Sequence, residues 1–212
     1  GLVLPITKAA AFLQDLKTGA LKWNGVLDLA LEERLQRITA EARRRHWDKA
    51  QSLADQELAT RPTPALIMAA AMMHVCSGDH SGGRRLFNQV LSVDAANNLA
   101  RLMLLVLDWF EGQAPASGQR QALSALDWRS EDEFWGYLAR ILLGEVDYQQ
   151  TLAGGYTSTE ISWLHLVAGF FRSQRQDWVA AQRLLEAAVM SADFDDWSLY
   201  LALAYLEKVQ RQ

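Results

Sequence analysis

Four histidines, one cysteine and a scatter of carboxylates are the residues of this chain with chemistry to offer. The histidines are His46, His74, His80 and His165, and the thiol is Cys76. His74, Asp79 and His80 come nearest to a site: an imidazole with a carboxylate to orient it, or the start of a metal shell. A Gly78-Asp79 turn divides the two imidazoles, however, whereas metal-binding histidines on one helix face stand three or four residues apart. The expected arrangement is a helix histidine beside a solvated turn histidine. A lone cysteine permits neither an intrachain disulfide nor a cysteine-based metal site, and at the end of an apolar run Cys76 reads as a small core residue. Glu131, Asp132 and Glu133 serve a helix N-terminus, where anionic side chains offset the helix dipole.

Nothing sharper appears. The nucleophile turn Gly-x-Ser-x-Gly is missing, and the Gly82-Gly83 and Gly154-Gly155 pairs lack the spacing and the preceding strand of a phosphate loop or dinucleotide fingerprint. The expectation is a protein that is not an enzyme, with no catalytic, cofactor-binding or metal-ligating residues and no cofactor.

The elements that carry these residues read as helices throughout. Half of the 212 residues are apolar and 22% are charged, enough to bury a sizeable core. Ala, Leu, Gln, Arg and Glu are abundant, while prolines number four, so helix is favoured nearly everywhere. The net charge of −4 argues against a surface that coats nucleic acid, which needs a clustered positive field. Arg43, Arg44 and Arg45 form the one basic cluster, at an expected helix C-terminus where cations are favoured. No apolar run approaches the roughly 20 residues of a membrane span. The N-terminal GLVLPITKAAAFL lacks the charged start, long apolar centre and cleavage site of a secretory signal. Compartment is left open between cytoplasm and periplasm, with a soluble part of an anchored protein as a third setting.

The segment from Pro64 to Asn98 sets the pattern: an apolar run, a Gly-Asp turn, an amphipathic run and a polar exit, which is one helical hairpin. Similar units surround it. Leu27, Leu31, Leu35, Ile38 and Ala42 fall on one helical stripe, the turn His46-Trp47-Asp48 follows, and a second stripe of Ala50, Leu53, Ala54 and Leu58 ends before Pro62 and Pro64. A third pair opens with Leu99, Leu102, Leu105 and Val106, breaks at Gly112 and resumes weakly over 117–126. A fourth opens with Ser130 and Glu133 as a capping box, and has a brief partner at 147–152. The fifth starts at Ser158 or Thr159 and turns at Gln176-Asp177-Trp178. A last helix runs from Trp197 to about Val209, its polar tail (Glu207, Lys208, Gln210, Arg211) suited to solvent. Residues 5–17 form an amphipathic helix of their own.

The turns inside these hairpins fall at Arg45, Gly78, Gly112, Gly144 and Gln176, which are 33, 34, 32 and 32 residues apart. A helix–turn–helix period near 34 residues is that of the tetratricopeptide repeat class, and the chain resembles that family. Ala50, Gly83 and Ala181 match its small residue at the helix crossing. Ala54, Phe87 and Leu185 stand where it places a large apolar residue, Glu57, Val90 and Ala188 where it prefers a small one, and Ala71 and Gly169 match the small residue of its first helix. Glu57 and Ala54 depart from the pattern, as do the incomplete third and fourth units.

The resemblance implies an all-α fold, a right-handed α-solenoid of about five tetratricopeptide-like hairpins. Residues 1–27 would be a helical extension, 28–192 the array and 193–212 a C-terminal capping helix. It also implies a concave surface lined by the first helix of each hairpin, here Met68, Met72, Leu102, Val106, Trp109, Phe134, Leu138 and Phe170. These are apolar, against an alternative in which each is ordinary core. The Lys and Asn with which the family's best-known readers grip a chain terminus are unmatched, since Leu35, Thr39, Met68 and Met72 occupy those places. The function expected is a non-catalytic scaffold or adaptor that binds a protein or peptide segment in the apolar groove. Two further readings accompany it: a bacterial-type chaperone or assembly factor for secreted or envelope components, and an oligomerisation domain of a larger membrane-anchored protein, which would make this chain a homo-oligomer. Neither nucleic acid nor a membrane span in this segment is expected.

Overall fold

The computed structural model describes residues 29–110, 133–194 and 196–211. Ten helices are found there and no strand: α1 (Leu29–Arg43), α2 (Trp47–Thr60), α3 (Pro64–Ser77), α4 (His80–Val93), α5 (Asn98–Phe110), α6 (Glu133–Leu142), α7 (Tyr148–Leu152), α8 (Ser158–Gln174), α9 (Trp178–Ser191) and α10 (Trp197–Val209). The protein is all-α over this range. The chain divides into two compact units, Gly1–Arg34 and Leu35–Gln212, and the second holds every helix from α2 onward. The expected N-terminal helix at 5–17, the Ser130 cap and the weak helix at 117–126 lie outside the described residues.

Local chemistry explains where the helices start. Thr63 accepts a hydrogen bond from the Leu66 amide and is followed by Pro64, whose missing N–H costs nothing at a first helical position. Asp79, Asp147, Asp177 and Asp196 cap α4, α7, α9 and α10 in the same way. At α8 the cap is Thr157 rather than Ser158 or Thr159: its side chain takes the Glu160 amide while the Glu160 carboxylate takes the Thr157 amide, a complete capping box. The acid three residues on selects Thr157 over its neighbours.

The turns repeat one geometry. Arg45, Gly78, Gly144 and Gln176 have φ of 60°, 93°, 71° and 60°, the only positive values among the described residues. They are four of the five positions that mark the sequence period, and Gly112 lies outside the described range. Arg45 and Gln176 donate to the carbonyls three residues back, and His46 and Asp177 to those five back. That pairing is the Schellman closure, which satisfies the orphan carbonyls of a finished helix.

Two hairpins cross where side chains are smallest. A Cβ on Gly83 would stand 2.9 Å from Val75 Cγ2 and 3.4 Å from the Ala71 carbonyl. One on Gly169 would stand 3.0 Å from Leu185 Cγ and 3.5 Å from the Ala181 carbonyl. The two pairs, Ala71 with Gly83 and Gly169 with Ala181, are each twelve residues apart and are the same crossing in two hairpins. Phe87 and Leu185, four residues beyond, are fully buried.

Packing runs mainly between neighbours in sequence, from α2 to α6 and through α8, α9 and α10. The departure is α10, which packs on α9 and α8 and also on α3. α3 is apolar on every side, as a helix covered all round must be, and ten of its residues are buried. The tail of α10 carries exposed Lys208, Gln210 and Arg211, as a solvent-facing end should, and is also anchored to the rest of the chain. Glu207 accepts from Trp47 Nε1 at 3.2 Å and pairs with Arg45 at 3.5 Å, Lys208 lies over aromatic rings and Val209 is buried.

Candidate functional site

The residues expected to line a groove are mostly interior. Met72, Leu102, Val106, Leu138 and Phe170 are buried, so a partner has no access to them. Phe170 meets the rings of Phe110 and Tyr205 edge-on at 5.2 and 4.8 Å: a helix of the chain itself, α10, covers this face. Phe134 is half-buried, against Trp135 and Tyr156. Met68 is half-buried in the wall of an apolar hollow of about 500 Å³ with Ile67, Val90 and Leu99. The side chain of Trp109 lies outside what is described. Of the seven whose side chains are described, five are buried and two half-buried: helical periodicity marks the buried stripe without saying what buries it.

The histidines are held by neighbours. His74 is buried, with Nε2 2.9 Å from Asp55 Oδ1 on α2 and Nδ1 2.7 Å from Asp79 Oδ2 at the start of α4. Gln51 Nε2 also lies 3.2 Å from Nδ1, so both ring nitrogens are engaged within the chain. Neither nitrogen is left over for a substrate or a metal. Gly82 is required beside them, since a Cβ there would stand 2.3 Å from both Asp79 Oδ2 and His74 Nδ1. The Gly82 amide, helped by His74 and Ser81, holds the Asp79 carboxyl down at about 2. His46 and Lys49 do the same for Glu41, also at about 2. His165 Nδ1 is engaged by the Tyr148 hydroxyl, and burial lowers its proton affinity. Burial pushes the Cys76 thiol far up, so it stays protonated and unreactive. Among the described residues no group of three or more His, Cys, Asp or Glu side chains is placed to hold a metal.

A cleft of about 330 Å³ opens between the start of α2, the end of α3, the start of α4, the end of α5 and the last turns of α10. Its wall is aromatic. His80 stacks on Phe110 at 5.0 Å and 23°, and Phe110 on Tyr205 at 4.7 Å and 27°. Tyr205 lies 3.2 Å from the Ser173 hydroxyl, and burial raises the pKa of its phenol, so the ring is neutral. Trp47 and Cys76 close the other side, and Glu207, Lys208 and Arg211 supply charge at the rim. With rings, a neutral thiol and fixed charges, the cleft can bind and orient a ligand. The sequence puts Trp47 in a turn and His80 in solvent and gives Tyr205 no mark of its own, because the packing of α10 on α3 joins segments more than a hundred residues apart. No family model matches the chain, and neither curated proteins nor solved structures provided a match.

Proposed function

We propose that this chain is a non-catalytic protein interaction module, a tetratricopeptide-like array of about five hairpins in a right-handed solenoid. Its partner segment enters the aromatic cleft beside α10 rather than an inner groove. The observation that carries this reading is the cleft itself: a stacked His80–Phe110–Tyr205 wall with charged groups at its rim. Ring-lined pockets bordered by polar groups are where binding energy concentrates in protein interfaces. The recurring turn geometry and the two equivalent crossings support the repeat. A chaperone with an open apolar groove draws less support, because five of the eight residues that would line it are buried.

The test is site-specific photo-crosslinking in the native host, with the photoreactive residue at Lys208 on the rim or at Arg183, exposed on α9. A discrete adduct from position 208 that is missing from 183 is the expected result. Capture from 183 alone would move the binding surface elsewhere and overturn the assignment.

A further inference from the structure

The charges around the cleft are unevenly satisfied. Glu207, the acid of the rim, is already engaged by Arg45 at 3.5 Å and Trp47 Nε1 at 3.2 Å. Lys208 and Arg211, the two cations, have no carboxylate partner among the described residues. Lys208 Nζ instead sits 5.4 Å from the Phe110 ring centroid and 5.6 Å from that of Tyr205, held by the negative faces of the rings. Cations in a last helical turn are favoured by the helix dipole alone. The dipole, however, calls for neither the aromatic wall beneath the ammonium nor the open volume beside it.

Resting on the reading of the cleft as a partner site, we infer that it selects an acidic peptide segment bearing an aromatic side chain. The incoming ring extends the His80–Phe110–Tyr205 stack, and an adjacent Asp or Glu meets Lys208 and Arg211. Charge complementarity names the carboxylate: the open valence of the cleft is positive although the whole chain carries −4. A nucleic acid is a poorer fit, since two cations neutralise only two phosphates against an otherwise anionic protein.

The experiment measures fluorescence anisotropy of three labelled peptides on the intact chain. One carries Asp-Trp-Glu between Gly-Ser flanks, one replaces Trp by Ala, and one replaces Asp and Glu by Lys. The first should bind at least about tenfold more tightly than the others, as fits the loss of one anchor ring or one charge set. Lys208→Glu with Arg211→Glu, both exposed positions, should reverse the preference between acidic and basic peptides while leaving the circular dichroism spectrum unchanged. Equal or tighter binding of the basic peptide, or indifference to the charge reversal, overturns the inference. If none of the peptides binds while position 208 still captures a partner by crosslinking, the acidic-aromatic class is wrong and the cleft reading stands. If both fail, both are wrong.

Discussion

Gln176 ends α8 in the left-handed region at φ 60°, where a Cβ crowds the following carbonyl and glycine is relieved of that cost. Gly78 and Gly144 fill the equivalent turns without it. Gln176→Gly should therefore stabilise the fold by about 0.5–1 kcal/mol, despite the greater freedom glycine regains on unfolding; a urea midpoint that falls would show that the Gln side chain contributes more than its backbone costs. Asp79 is the other residue with a readable consequence. Its carboxyl is depressed to about 2, chiefly by the Gly82 amide and then by His74. A depressed carboxylate contributes stability that is complete above its unfolded value near 4 and is lost as pH falls through its folded value. The Asp79 contribution should thus be level above pH ~5 and fade between pH ~4 and ~2. Asp79→Asn keeps a side chain able to cap α4 but removes the charge, and should flatten that part of the acid titration followed by urea denaturation. An unchanged acid limb in the variant would assign the loss to other carboxylates, Glu41 first among them.

At the scale of elements, the hairpin is what a reader of the sequence can see. Its signals are local: Pro64 after a capping Thr63, the aspartates that open helices, a left-handed residue every thirty-odd positions, and small residues twelve apart at the crossing. Each reflects a constraint met within one or two helices, so each leaves a mark in a short window. The crossing also fixes a prediction. Gly169 has Leu185 Cγ 3.0 Å from where a Cβ would sit and the Ala181 backbone close behind. Gly169→Leu must push α8 from α9 and should cost roughly 1–3 kcal/mol or more, as overpacking of a close helix contact does. The same change at exposed Arg183 on α9 should stay within about 0.5 kcal/mol. Comparable effects at the two sites in thermal melts would mean that the helices have room to separate. The inner groove is illegible for the opposite reason. Met72, Leu102, Val106 and Phe170 carry the helical period of a buried stripe, and the period is identical whether the cover is a partner or other helices of the same chain, as α10 is for Phe170.

For the molecule as a whole, the decisive contact is α10 on α3. In an array whose units touch only their neighbours, stability is a sum of local terms and damage at one end stays there. Here the last helix reaches back: Tyr205 extends the ring stack from Phe110, and Glu207 ties the end of α10 to Trp47 and Arg45 at the first described turn. Unfolding of α10 must therefore uncover α3 as well as α8 and α9. Leu201 is 2% exposed on α10 and also borders the cleft, so Leu201→Ala should destabilise by about 2–5 kcal/mol. The informative readout is where the loss appears. Native-state hydrogen exchange resolves local openings from global ones. In the variant, amides of α3 from Leu66 to Cys76 should lose protection together with those of α8 and α9, although more than a hundred residues of chain separate α3 from Leu201. Protection lost in α8 and α9 but kept in α3 would mean that α10 behaves as a terminal cap after all. The cleft would then lack the fixed wall that its binding role requires, since its rings come from α2, α4, α5 and α10 and its thiol from α3.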